Sequence, residues 1–473
     1  MQDWQLSSVA RLAWPGAPTA AGRGRRNGDH ATTCRDHHGH ACMKATTLIQ
    51  RHFAELETRP AEDLLGLQTQ ALARVLDYAA ATVPFYRERI EAARASLGAD
   101  AEPRQVLEAM PLLTREQLRE QGEALLTPAG RGPEVLSFVT SGSTGMPVRV
   151  IWGREANGVL GVLMWRHHRW HGSRPDARHA TIQLMPRLPN GQVATPSAMQ
   201  WCPGAEVRPG VALDSATPVD RQLDWLIEQD PHYLMTYPSN AAALLQRAAA
   251  RGVVLPSLER IDTYGESLPE TLPALARSVW DVALVDRYAS RELGIIALAC
   301  PRGEGYRVQV ENVLVEVLDD AGRPVAPGET GQVAVTQLQN LAMPLIRYAV
   351  GDYAELGERA KGDPLPYPIL RRIRGRQRNM YVLPDGDRLW PRFAIGLANL
   401  DLLKQFQVVQ RRLDRVELNA VPARPLSPGD RERLEAVIRD NLPGTYSFGI
   451  NELTEIPRSA GGKFEDFRSE VAA

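Results

Sequence analysis

The sequence predicts an α/β protein, with a large layered unit that contains a β-rich part and, after it, a small α+β unit. Three observations carry this. Across residues 135 to 345, short apolar runs alternate with segments of helical periodicity, the pattern of a parallel sheet covered by helices. From residue 313 the texture changes to short strands and tight turns: Val313–Leu318, then Asp319-Asp320-Ala321-Gly322, then Gly331–Thr336. Beyond residue 373 a smaller set of strands, near 379–383, 407–410 and 415–419, accompanies a helix at 428–441. A chain of 473 residues is also too long for one core. The expected division is an extension at 1–42, a large unit at 43–372 and a small mobile one at 373–473.

Residues 1–42 are dominated by Ala, Arg, Gly, His and Pro without apolar periodicity, so disorder is expected there. Cys34, His37, His38, His40 and Cys42 crowd into too few residues to close a tetrahedron around a metal. Met43-Lys44 reads as the natural start. Leu64, Leu65, Leu67, Leu72, Val75, Leu76 and Tyr78 then form a helical stripe that stops near Val83-Pro84, and a second helix is expected from Phe85 to Leu97. Thr114 reads as a helix N-cap with Gln117 as its capping-box partner. In the central region strands are expected at 148–152, 180–184, 232–236, 258–263 and 282–286, and helices at 154–170, 217–229, 239–251 and 268–279.

Composition excludes several classes. Hydrophobic content of 44% and charged content of 23% are ordinary for a globular protein, and a net charge of −1 speaks against a general binder of nucleic acid or membrane surfaces. No apolar run approaches the roughly 20 residues that cross a bilayer. Cys34, Cys42, Cys202 and Cys300 make no disulfide framework, so a reducing cytoplasm is the expected compartment.

The stretch Phe138–Val148 reads as strand, tight turn, strand. Ser141, Gly142, Ser143, Thr144 and Gly145 supply hydroxyls, amides and open backbone, a combination that suits a polyanion. The ending of a Walker loop is absent.

Four further stretches follow in order: Tyr264–Leu268 (YGESL), Asp286–Gly294 (DRYASRELG), Ala342–Asp352 (AMPLIRYAVGD) and Ile373–Gln377 (IRGRQ). With the Ser/Gly loop, and with Tyr78 and Val83–Arg87 near the start, they resemble the adenylate-forming, or acyl-AMP ligase, superfamily and its phenylacetate-CoA ligase-like branch. The resemblance implies ATP-dependent activation of an organic acid as acyl-AMP, then transfer to coenzyme A. It implies nucleotide contacts from Ser141–Gly145, Gly265, Glu266, Tyr288, Asp352 and Arg376, with Asp352 accepting the ribose hydroxyls, and Glu292 as the Mg²⁺ carboxylate. Lys463, on the Gly461-Gly462 loop, is implied as the catalytic cation that meets charge developing at the α-phosphate.

Departures from the family pattern are Arg291 in place of its usual Thr, Val148 in place of a Lys, and Arg378-Asn379 where carboxylates are common. Relatives with a Cys- and His-containing metal turn contrast with Cys300, Tyr306 and Lys361–Pro364 here, so no zinc is expected. The acyl pocket is expected between helix 154–170, with Trp165, His167, His168, Trp170 and His171, and the strand ends near 236 and 264; a solvated or core-packed face is the more frequent outcome for such a helix. Tyr237 and Pro238 are further lining candidates, ahead of a helix N-cap expected at Ser239. An aromatic lining would suit an aryl acid. Transfer to an amine or to a carrier-protein thiol is the alternative reading, and a degenerate nucleotide-binding scaffold without ligase activity is a second.

Overall fold

The structure, a computed structural model, describes residues 50–98, 100–140, 148–185, 208–301, 305–359, 363, 365–376, 380–386, 388–389, 391, 393–398, 400, 402–457 and 465–471, with Thr140, Arg376, Arg388, Ala394, Ile395 and Ala398 described by backbone alone. The expectations for residues 1–42, for the Ser/Gly loop, for Arg378-Asn379 and for Lys463 lie outside the described residues.

The chain enters through helices α1 (Ala61–Thr82) and α2 (Pro84–Leu97), separated by Val83 in an extended conformation because Pro84 disfavours a helical residue before it. Helix α3 (Pro103–Ala109) follows, and then α4 (Arg115–Gln121), whose N-terminus is closed by the reciprocal Thr114 and Gln117 capping box that the sequence predicts. Strands β1 (Val135–Thr140) and β2 (Val148–Gly153) form an antiparallel ribbon of their own, so 148–152 belongs to the loop-bearing hairpin rather than to the parallel layer. Helix α5 (Arg154–Trp170) leaves β2 directly.

Next come β3 (His179–Gln183), β4 (Val211–Asp214), α6 (Val219–Gln229), β5 (Tyr233–Thr236), α7 (Pro238–Arg251), β6 (Arg260–Tyr264), α8 (Leu272–Trp280) and β7 (Ala283–Ser290). Strands β8 (Gly294–Ala299), β9 (Tyr306–Val308), β10 (Val313–Leu318), β11 (Thr330–Gln337), β12 (Tyr348–Gly357) and β13 (Ile369–Arg376) complete one 11-stranded sheet, ordered β10-β11-β12-β13-β9-β8-β7-β6-β5-β3-β4. Pairing from β4 to β7 is parallel and from β7 onward antiparallel, so the antiparallel part begins at β8, ahead of residue 313 where the sequence pattern placed it, because the buried strand β8 carries a continuous apolar run without the turn signals that mark β10 and β11. The short strand β4 carries exposed and half-buried residues and had no periodic signal.

The chain ends in β14 (Tyr381–Val382), β15 (Arg388–Leu389), α9 (Phe393–Ala398), β16 (Leu403–Arg412), β17 (Arg415–Pro422), α10 (Pro428–Asn441), β18 (Ser447–Glu452) and β19 (Phe467–Ser469). A four-stranded sheet, β18-β17-β16-β19, and helix α10 enclose a separate apolar core around Val408, Leu418, Leu434 and Ile438. Helix α10 starts at a Ser427 and Asp430 capping box with Pro428 at its first position.

One expectation is corrected. The N-cap of α7 is Tyr237, with Pro238 at the first helical position, instead of Ser239. Proline has no amide to leave unsatisfied there and its φ already suits a helix, so it starts the helix one residue earlier than the serine.

Candidate active site

Strand alternation and sheet order bring together side chains that lie far apart in the chain. Tyr288, on β7, donates its hydroxyl to Oδ2 of Asp352 on β12 at 2.9 Å. Asp352 in turn faces Arg376 across the β12–β13 register. Gly351, with φ of 84°, occupies a conformation that side-chain-bearing residues seldom adopt, and it places the carboxylate at a kink in the strand. Gly265, with φ of 79°, turns the chain sharply after β6.

Glu266 lies on the same turn, and its Oε2 accepts the Ser239 amide at the N-terminus of α7 at 2.9 Å. An anion at that position is favoured by the helix dipole, and the contact ties the Gly265-Glu266 turn to the strand end at Tyr237.

Glu292 is buried in the turn between β7 and β8, where its Oε1 accepts from Arg115, the first helical residue of α4, at 2.8 Å. This arginine was not anticipated, although the Thr114 cap fixes its place at the helix start. A hard carboxylate with one oxygen held by a guanidinium and the other unclaimed among the described residues fits a magnesium ligand.

The hairpin that carries the Ser/Gly loop is fastened to this turn. A side chain at Gly294 would meet the tip of the Trp152 ring at 2.6 Å, so the glycine makes room for Trp152 against the start of β8. Asn340 accepts the Gly153 amide at 3.1 Å and donates to the Ile151 carbonyl at 2.9 Å. Arg291, one of the departures from the family pattern, donates to the Val139 carbonyl at 3.1 Å and so braces the strand that leads into the loop. No sequence signal pointed to Trp152 or Asn340. Arg347, within the AMPLIRYAVGD stretch, supports the frame: it adopts φ of 51°, pairs with Glu316 at 3.2 Å, and is buried.

Residues 64–343 match the family model described as AMP-binding enzyme. The chain belongs to the AMP-binding enzyme family. A phenylacetate-coenzyme A ligase of Thermus thermophilus is 26% identical over 443 residues, covering 86% of this chain and 97% of that protein. Another, of Escherichia coli, is 23% identical over 335 residues, covering 69% and 74%. Among solved structures, 2-hydroxyisobutyryl-CoA ligase in the postadenylation state with 2-HIB-AMP matches with a TM-score of 0.70 at 20% identity, covering 88% of this chain and 92% of that one.

In this AMP-binding enzyme the side of the parallel strands covered by α5 is unusually polar. His167 and His168 turn into the core, while Trp170 leans on Tyr367 with ring centroids 5.9 Å apart and donates to Glu57 at 3.1 Å. His167 Nε2 meets Asp262 Oδ1 at 3.0 Å, and Arg260 binds the same carboxylate at 2.9 and 3.1 Å. Burial would raise the Asp262 pKa, but the Arg260 guanidinium and the His167 bond outweigh it and hold the carboxyl well below the usual range. Burial pushes the imidazoles the other way: His168 down to about 2, and His171 and His179 to about 4. His168, His179 and Asp262 bring potential ligand atoms within 4.8 Å of one another, yet the carboxylate is already committed to Arg260, and a second guanidinium, Arg287, lies on the same face. That environment opposes a cation.

Toward the strand ends the Tyr237 and Tyr264 rings pack at a tilt of 42° with centroids 5.2 Å apart, and Tyr264 donates to Gln183 at 2.9 Å. Asp286, on the opposite face of β7, accepts from Thr263 and Tyr306, each at 2.7 Å, and burial raises its pKa to about 6.

Proposed function

We propose that this chain is an AMP-forming acid–thiol ligase, which activates an organic carboxylic acid with ATP and passes the acyl group to coenzyme A. The observation that carries the reading is the convergence of Tyr288 and Asp352 through one hydrogen bond, with Arg376 opposite Asp352 in the neighbouring strand. Family membership and the two similar phenylacetate-coenzyme A ligases support it.

In this reading the Ser141–Gly145 loop holds the phosphates, and the turn at Gly265 and Glu266 borders the adenine with the Tyr288 ring. Asp352 accepts the ribose hydroxyls and Arg376 donates beside it. The substrate carboxylate attacks the α-phosphorus, the bond to the β-phosphate oxygen breaks, and pyrophosphate leaves. Lys463 supplies an ammonium where negative charge builds up, which lowers the barrier because the charge is already in place. The thiol of coenzyme A then adds to the acyl carbon of the mixed anhydride, AMP departs with the bonding electrons, and the thiol proton is lost to solvent. Glu292 would hold Mg²⁺, which when bound offsets phosphate charge. A small mobile unit from about residue 373 would rotate against a large unit that ends at about 372 between the two steps. The site of action is the cytoplasm; none of the described helices is long and apolar enough to cross a membrane.

The test is incubation with ATP, Mg²⁺ and a panel of carboxylic acids, following pyrophosphate with and without coenzyme A. Release without coenzyme A, a trapped acyl-AMP, and a thioester once coenzyme A is added are the expected results. A trapped adenylate that never reaches coenzyme A transfers the second step to an amine or carrier thiol, and absence of pyrophosphate with every acid refutes the ligase reading.

A further inference from the structure

Arg287 stands near the carboxyl end of β7, opposite Tyr264 in the β6–β7 register, on the face that α5 covers. Among the described residues five arginines are buried: Arg166, Arg260, Arg287, Arg307 and Arg347. Four of them meet a carboxylate, Arg166 with Glu311, Arg260 with Asp262, Arg307 with Asp363 and Arg347 with Glu316. Arg287, only 7% exposed, has no ion pair among the described residues. Its donors reach the thioethers of Met164 at 3.5 Å and Met235 at 2.6 Å, and its guanidinium carbon lies 4.9 Å from the Tyr264 ring centroid. A thioether is a weak acceptor. The contrast with Arg260 on the same face is direct, since Arg260 also binds the His171 carbonyl at 2.8 Å and Ser173 Oγ at 2.6 Å.

No other group in this layer forms an ion pair with Arg287 among the described residues. Asp262 is already bound by Arg260 and His167, and the neighbouring imidazoles are held neutral by burial. Asp286 turns to the opposite face, where it accepts from Thr263 and Tyr306. Among the described residues the layer therefore encloses two guanidiniums against one carboxylate, and Arg287 feels the charges of Asp262 and Asp286 without an ion pair to either. A buried cation without a counter-charge in contact is costly, and this one sits at the carboxyl ends of parallel strands, where open α/β sheets take their ligands. It also points away from the nucleotide side. Tyr288, the next residue, sends its hydroxyl to Asp352, and neighbours on a strand face opposite ways. Met164, Met235 and Tyr264 line the guanidinium with aromatic and thioether surface, and Tyr237 packs on Tyr264.

We propose that Arg287 is a specificity-determining residue that binds a second carboxylate on the acid being activated, so that the preferred substrates are dicarboxylic acids, aliphatic or aryl, of which one carboxylate reacts and the other pairs with Arg287. This rests on the ligase reading above. A bidentate guanidinium–carboxylate pair in such a setting is strong and directional.

The experiment compares full-length wild-type protein with R287M, which keeps the bulk without the charge, and R287K, which keeps the charge without the fork. Paired acids differing by one carboxylate are used: butyrate with glutarate, and phenylacetate with 4-carboxyphenylacetate. The expected result is that wild type favours a diacid over its partner by about tenfold or more in kcat/KM for pyrophosphate release. R287M abolishes that preference, lowering the diacid by about 30- to 100-fold while the monoacid holds or improves, and R287K retains part of it. A wild-type preference for the monoacid in both pairs overturns the proposal. So does an equal loss of both acids in folded R287M, which would place the arginine on the reacting carboxylate or in the frame. Should R287M fail to fold, the wild-type preference and its partial survival in R287K decide. If no acid yields pyrophosphate, the ligase reading fails separately, and thermal stability answers for Arg287: a diacid that raises the Tm of wild type but not of R287M supports the pairing, and no shift in either overturns it.

Discussion

The two faces of strands β3, β5, β6 and β7 are equally buried, but different forces hold them. On one, Ala180, Ile182, Leu234 and Ile261 pack against Leu223, Leu226, Leu244 and Leu245 of α6 and α7, and dispersion and the loss of hydrated apolar area supply the attraction. On the other, His179, Thr181, Arg260, Asp262 and Arg287 lie beneath His167 and His168 of α5, and hydrogen bonds and ion pairs replace hydration that burial removed. Adjacent residues on one strand thus enter opposite environments: Ile261 rests in an apolar layer while Asp262 holds a guanidinium and an imidazole. The apolar face loses a little when trimmed. The polar face is brittle, because removing one partner leaves the other desolvated and alone.

The sharpest way to break this contrast is Asp262→Ala, which strands Arg260 and takes the partner from His167; a loss of about 3 to 5 kcal/mol in urea denaturation is expected, and a value near that of an apolar trimming would erase the distinction. Lys463→Ala probes the chemistry instead of the two faces. It should slow adenylate formation by about 2 kcal/mol or more while the urea midpoint stays put, and unchanged pyrophosphate exchange would remove this lysine from the chemistry.

The next test uses pH. His171 and His179 have folded pKa values of about 4 against an ordinary 6.5, so between those values the unfolded chain binds more protons than the folded one. Stability should therefore fall as pH drops from 6.5 toward 4, by up to about 1.4 kcal/mol per pH unit for each histidine, with the decline flattened in His179→Gln; a decline as steep in that variant would assign the effect elsewhere. Smallest is Ile261→Val on the apolar face, expected to cost about 1 kcal/mol, with a pH profile parallel to that of wild type.

Much of the fold was legible because it is written in local pattern. Helix α5 at Arg154–Trp170 and α10 at Pro428–Asn441 match the expected spans, the first through its helical periodicity and the second through the Ser427-Pro428 start and its Asp430 cap partner. Strand β4 was not legible, being short and only partly covered. Of the site, Asp352, Tyr288 and Glu292 stood out within ordered motifs, and the structure brings the first two into direct contact. Arg115 and Asn340 did not, because each acts through a partner more than a hundred positions away. Arg287 lay within a quoted motif, yet nothing in DRYASRELG distinguishes a paired arginine from an unpaired one.

By itself the sequence determined the class of layers, the spans of the strongly periodic elements, the Thr114 cap and the types of side chain available to a nucleotide, because periodicity, turn chemistry and caps act over a few residues. The tertiary structure alone decided which buried charges found partners: that Arg260 meets Asp262 while Arg287 meets two thioethers, and that Glu292 meets Arg115. Coulomb attraction and hydrogen bonding depend on separation in space and on exclusion of water, neither of which distance along the chain sets.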